Sequence, residues 1–216
     1  MITTPDLIES LVARAEPVRR LRPPLARAAA WLLFAGLMLV LMVAIKGLRP
    51  DLELSLRQPG FAIDVGAALA TGILAAVAAF VVSLPDRSRL WLWLPVPALL
   101  VWIVNIGHSC LTAWVDLQPG MHLGDETGCV AALVMTGAPL ALTLLIMLRH
   151  TALFDPTPVA VAGGLAVAGI TASLLPLFHN HDASVLILVW NLGIAALLTA
   201  AAGAFGRRMF TWVAPR

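Results

Sequence analysis

The sequence predicts an all-α integral membrane protein, a bundle of six transmembrane helices with a short cytoplasmic N-terminal amphipathic helix and both termini inside. Composition is the first reason: 60% of the 216 residues are hydrophobic and 12% are charged, with a mean hydropathy of +0.92, whereas about a quarter of the residues of a soluble domain carry charge. The second is segment length. A span takes about 20 predominantly apolar residues, and residues 26–45, 61–82, 90–115, 129–148, 159–178 and 184–205 each supply such a run. The third is the placement of the basic residues. On alternate sides of those runs, Arg14, Arg19, Arg20, Arg22, Arg27, Arg87, Arg89, Arg149, Arg207, Arg208 and Arg216 share one side, against Lys46, Arg49 and Arg57 on the other. The side rich in arginine is cytoplasmic by the positive-inside rule.

Three regions follow: a cytoplasmic segment 1–25, a transmembrane domain 26–205 and a cytoplasmic tail 206–216. The first carries acids and several arginines and lacks a small-residue cleavage site, so the first span is expected to be retained rather than removed with a signal peptide. Thr3 or Thr4 can cap a helix with Pro5 and Asp6 in its first turn. Leu7, Ile8, Leu11, Val12 and Ala15 then share one face, opposite Asp6, Glu9 and Arg14. A helix of about three turns is not stable alone in water, so it must rest on a membrane, on the bundle or on a partner. Pro17 ends it, and Pro23-Pro24 keep the chain extended. Arg19, Arg20, Arg22 and Arg27 are thereby expected at the headgroup level, where anionic lipid attracts each by about 1 kcal/mol.

The connection 48–60, with mixed charge and two prolines, reads as a short outer loop. Gly66, Ala70, Gly72 and Ala76 give the second span a face that lets a neighbouring backbone approach. Residues 84–89 make an inner turn, after which Trp91 and Trp93 suit an interfacial aromatic belt. Pro95 and Pro97 interrupt the third span, which predicts a kink there. Pro139 lies within the fourth, and Gly163, Gly164 and Gly169 offer packing positions in the fifth. His179-Asn180-His181-Asp182 forms the last outer turn, and the sixth span contains Trp190 and Asn191.

Side chains able to do chemistry gather on the outer side. Cys110 and Cys129 end and begin adjacent spans joined by one outer loop, which fits either a disulfide in an oxidising compartment or two buried thiols. His108, His122, His179 and His181 lie on the same face with Asp182 and other acids, so imidazole, thiolate and carboxylate there could hold a divalent cation such as zinc or copper. No closely spaced ligand motif supports that site, and no cofactor is firmly implied. Catalysis has less support still: there is no phosphate loop, no nucleophile elbow and no carboxylate pair deep in a span. Intramembrane ionisable groups, which transport pathways usually need, are confined to Asp64 and His108 near the outer ends of their spans.

The N-terminal Asp6-Leu7-Ile8 helix, the motif Pro17-Val18-Arg19-Arg20-Leu21-Arg22-Pro23-Pro24 and Gly47-Leu48-Arg49-Pro50-Asp51-Leu52 together resemble the NrsF-type negative regulators of extracytoplasmic-function sigma factors. Pro85-Asp86-Arg87-Ser88-Arg89 and Gly124-Asp125-Glu126-Thr127-Gly128-Cys129 resemble that family's turn after span two and its entry to span four. The resemblance runs over essentially the whole chain, and the arginine-proline motif is its most specific part.

It implies a six-span anti-sigma factor of the bacterial inner membrane, not an enzyme, which contacts no nucleic acid itself. Its partners would be an extracytoplasmic-function sigma factor and the lipid bilayer, and it would release the sigma factor under envelope stress such as metal or oxidant. The implied contacts to sigma are Leu7, Ile8, Leu11, Val12, Arg19, Arg20 and Arg22, and Cys129 is the implied sensing thiol. The family pattern has a second cysteine in the last outer turn, where this chain has His179 to Asp182. Either Cys110 takes that place, or the Cys129 thiolate works with His179 or His181 on a metal, or no disulfide is used. Two other classes predict different behaviour: a small transporter or channel lined by Asp64, Asn105 and His108, and a membrane redox enzyme using Cys110 and Cys129.

Overall fold

A computed structural model describes residues 22–115, 126–148 and 156–177, together with Thr4, Glu9, Val12, Ala13 and Ala200; for 109–115, 126–133, Pro156 and Leu175 it describes the backbone. Every regular element among the described residues is helical: α1 Pro24–Lys46, α2 Leu52–Leu56, α3 Pro59–Val82, α4 Val96–Val115, α5 Glu126–Leu148 and α6 Pro156–Leu174. Short 3₁₀ turns precede α4 (Arg89–Trp93) and follow α6 (Leu175–Leu177). The first five predicted spans fall on these elements. The sixth, 184–205, with the tail 206–216, lies outside the described residues. Among the described residues, four stretches are long and apolar enough to cross a membrane: Pro24–Lys46, Pro59–Val82, Arg89–His108 and Thr157–Leu174.

Proline and glycine set the helix ends. Pro24 and Pro59 occupy the first helical positions of α1 and α3, where the missing N–H would have had no intrahelical partner. α1 stops at Gly47, whose φ of 75° lies in the left-handed region and whose N–H closes on the Val43 carbonyl at 2.9 Å. The expected kink at Pro95 and Pro97 is not a kink. The chain makes a 3₁₀ turn over Arg89–Trp93, capped by Ser88 Oγ accepting from the Leu90 N–H at 3.2 Å, and α4 begins just beyond Pro95. Both prolines thus fall where a helix tolerates them. Trp91 and Trp93 are exposed on that turn. The loop 48–60 is also more ordered than expected, since it folds into α2.

Side chain contacts define the two ends of the bundle. At the proximal end, where α1 starts, α3 and α5 finish; at the distal end, α1 finishes, α2 forms part of the connection to α3 and α6 ends. The central contact is between α3 and α6. A Cβ on Gly169 would lie 2.6 Å from Gly72 N and 2.8 Å from Ala68 O, and one on Gly72 would lie 2.8 Å from Ile170 N. The backbones touch because neither helix has a side chain at the crossing, which is how helices associate where lipid is as apolar as Leu. Ala67, Ala68, Ala75, Ala76, Ala78 and Ala79 extend that thin face. Buried hydroxyls bond back to the preceding turn: Thr71 donates to Ala67 O at 2.7 Å, Thr171 to Val167 O at 2.8 Å and Ser173 to Ile170 O at 2.8 Å. No partner outside their own helix is needed. α1 and α4, by contrast, lie on the periphery and expose Leu33, Leu37, Val40, Leu100, Ile103 and Val104.

Candidate functional site

The N-terminal segment is the longest polar stretch of the chain and the first candidate. Thr4, Glu9, Val12 and Ala13 are helical and exposed, and Val12 shows 68% of its surface. Arg22 is exposed immediately before Pro23. Leu7, Ile8, Leu11, Arg19 and Arg20 lie outside the described residues.

Where the segment joins the bundle, the geometry is specific. Pro23, at φ −50° and ψ 142°, is extended and precedes the first turn of α1. The Arg27 N–H closes that turn on the Pro23 carbonyl at 3.2 Å. The expectation that anionic lipid attracts the Arg27 side chain is corrected here: it is turned into the bundle and only 8% exposed. Nη2 donates to the Met147 carbonyl, and the guanidinium lies 5.3 Å from the centroid of the Phe80 ring. Met147 is in the last turn of α5, where carbonyls have no intrahelical donor and the helix dipole favours a cation. One turn further along α1, Trp31 is fully buried and its Nε1–H donates to Leu140 O at 3.2 Å. α1 is therefore held to α5 by two side-chain donors on backbone carbonyls. Sequence reasoning missed both; an arginine within the first turn of an apolar helix, beside a tryptophan one turn on, was the available signal.

The distal end carries two further polar groups. Arg49 grips Asp51 with two nitrogens, Nε at 3.0 Å and Nη2 at 2.5 Å, and lies 5.8 Å from the Phe61 ring centroid. Its own N–H reaches Leu177 O at 3.1 Å, tying the α1–α2 connection to the end of α6. The Arg49 hydrogen bonds hold the Asp51 carboxyl below the usual carboxylate range. Asp64, in the second turn of α3, faces the Trp102 indole and the Asn105 amide of α4, and Asn105 Nδ2 also donates to Gly60 O at 3.0 Å. Asp64 Oδ1 is buried with no hydrogen-bond partner among the described residues.

Cys110 falls in the last two turns of α4 and Cys129 in the first turn of α5; their side chains lie outside the described residues. His108 is exposed on α4. His122, His179, His181 and Asp182 lie outside the described residues, and among the described residues no three His, Cys, Asp or Glu side chains converge as a metal site would require.

A family model described as NrsF, negative regulator of sigma F, matches residues 11–212. No curated protein and no solved structure matches the chain.

Proposed function

Because the chain belongs to the NrsF family of negative regulators of sigma F, a family of regulators rather than enzymes, we propose that it is a membrane-bound anti-sigma factor. Residues 1–25 sequester an extracytoplasmic-function sigma factor on the cytoplasmic side of the inner membrane. Residues 26–205 anchor and sense, and the tail 206–216 stays inside. The family match over nearly the whole chain carries this reading. Val12 and Arg22, exposed at the start of the chain and just before α1, are consistent with it.

Capture uses the helix-in-groove mode: Leu7, Ile8, Leu11 and Val12 enter an apolar groove on sigma, while Arg19, Arg20 and Arg22 pair with acidic residues around it. Release follows when an envelope signal binds one state of the bundle better than the other. Cys129 and Cys110 are the proposed sensing thiols, and His108, His122, His179, His181 and Asp182 the proposed donors if the signal is a divalent metal.

Co-purification of the sigma factor with the full chain, and with a variant lacking residues 1–24, tests the assignment. Capture is expected to be lost with the segment, and equal capture by the truncated protein would sink it. Replacing Leu11 by Ala is expected to weaken capture at least tenfold with insertion unchanged, because a truncated hot-spot side chain costs about 2 kcal/mol or more. One observation favours a transporter instead, the buried Asp64 Oδ1 that has no partner among the described residues. Solute or ion flux in liposomes that disappears in Asp64→Asn would establish that rival.

A further inference from the structure

The two features that meet at Arg27, its interhelix contacts and its place at the root of the N-terminal segment, have a joint consequence. Between Arg22 and the bundle there is no flexible linker. Pro23 and Pro24 have φ restricted by their rings, and the Arg27 N–H fixes the first turn of α1 to the Pro23 carbonyl. The direction in which the chain leaves the bundle is therefore the direction of that turn. The Arg27 side chain sets the turn against two other helices at once, through the Met147 carbonyl at the end of α5 and the Phe80 ring near the end of α3.

A guanidinium suits both contacts because one of its several N–H groups can donate to the Met147 carbonyl while its delocalised charge lies over the Phe80 ring. An ammonium is a compact point charge that serves the carbonyl and the ring together less well. Mere topology does not require this arrangement, since an arginine counted by the positive-inside rule works equally well from the headgroup region.

We propose that Arg27 is a positioning residue for sigma capture, holding the exit of the N-terminal segment in register with the proximal ends of α3 and α5. The proposal rests on the anti-sigma reading and adds its mechanical link. α5 begins at Glu126, has Cys129 in its first turn and ends at the carbonyl that Arg27 holds. A displacement of α5 along or about its axis thus moves the root of the capturing segment. Cys129 and Met147 are about 27 Å apart along a helix rising 1.5 Å per residue, so α5, with Pro139 inside it, spans the distance between signal and output.

The test uses the full chain in lipid nanodiscs with the sigma factor as ligand, measuring its Kd, amide exchange over residues 24–30 and the thermal unfolding midpoint. Arg27→Gln is expected to raise the Kd about tenfold, within the usual range of intersite coupling, and to speed exchange at the first turn of α1. Arg27→Lys, which keeps the charge needed for insertion, should lose about half of that effect in logarithmic terms. Trp31→Phe loosens the same helix pair one turn away, and should lower the unfolding midpoint while leaving the Kd within about twofold.

An unchanged Kd in Arg27→Gln overturns the positioning role, and so does a Trp31→Phe loss as large as that of Arg27→Gln, which would make the effect one of general packing. Where Arg27→Gln fails to insert, a wild-type Kd in both Arg27→Lys and Phe80→Leu overturns the role instead. A wild-type chain that binds no sigma factor overturns the anti-sigma reading and this one with it. Intact wild-type binding that is indifferent to Arg27 overturns this one alone.

Discussion

Arginine does three different jobs in this chain, and its surroundings decide which. Arg22 is exposed at the start of the bundle, Arg27 is buried against a helix end and a ring, and Arg49 clamps a carboxylate at the far end. The clamp has a pH signature. Hydrogen bonding by Arg49 lowers the Asp51 carboxyl from its ordinary value, so the stabilisation is present above the unfolded value and lost as pH falls through the lower, folded one. Followed by NMR towards acid pH, the Arg49 Nε–H signal is expected to hold steady through the ordinary carboxylate range and to move only below it. Movement within that range would show that the clamp does not form, and Asp51→Asn should abolish the transition. Arg22 and Arg49 stand outside the apolar runs, as their places in the sequence suggest. The contacts of Arg27 were missed because a charge pattern reports which side of a membrane a residue lies on, and cannot report a carbonyl and a ring brought to it from residues 147 and 80.

At the scale of elements, the α3–α6 contact carries the bundle. The small-residue spacing at Gly72 and Ala76 marked the correct face of α3, but Gly66, part of the same pattern, is exposed, and a Cβ added there would meet no atom within 4 Å. Only the crossing point separates the two kinds of glycine. Gly169→Ala places a methyl group against the backbone of α3 at 2.6 to 2.8 Å, which the helices can relieve only by separating. It should destabilise the bundle by about 2 kcal/mol, within the range for overpacking. Gly66→Ala, with open space at its Cβ, should be neutral or stabilise by up to about 1 kcal/mol, the helix-propensity difference between Gly and Ala. Reversible unfolding in mixed detergent checks both, and equal effects would show that α3 and α6 do not cross at Gly72. Gly163→Ala should fall between, because its close neighbour at 2.8 Å is the end of a flexible side chain, Leu144 Cδ2.

At the scale of the whole molecule, the proposed arrangement of six spans with both termini inside makes a prediction that no single residue does. A fluorescent reporter that matures only in the cytoplasm should be active at either terminus, and a phosphatase active only outside should be inactive at both. Activity of the outer reporter at the C-terminus alone would mean an odd number of spans. The same arrangement puts the exposed aliphatic faces of α1 and α4 in lipid and leaves α3, which packs against α1, α4 and α6, as the centre on which the peripheral helices are assembled.

By itself the sequence determined the helical class, the approximate limits of five described helices, the polar N-terminal segment and the resemblance that the family match supports. Each of these is written in local composition: apolar run length, proline and glycine at the ends of runs, and a charged stretch where no run exists. Only the tertiary structure decided that α3 is central with α6 buried against it, that Gly72 and Gly169 touch, and that Arg27 and Trp31 fasten α1 to α5. These contacts join residues far apart in the chain, and inside a membrane every apolar face is equally satisfied by lipid. Hydrophobicity therefore says that a helix spans but not which face meets a neighbour; close backbone approach and polar side chains that find a carbonyl make that choice.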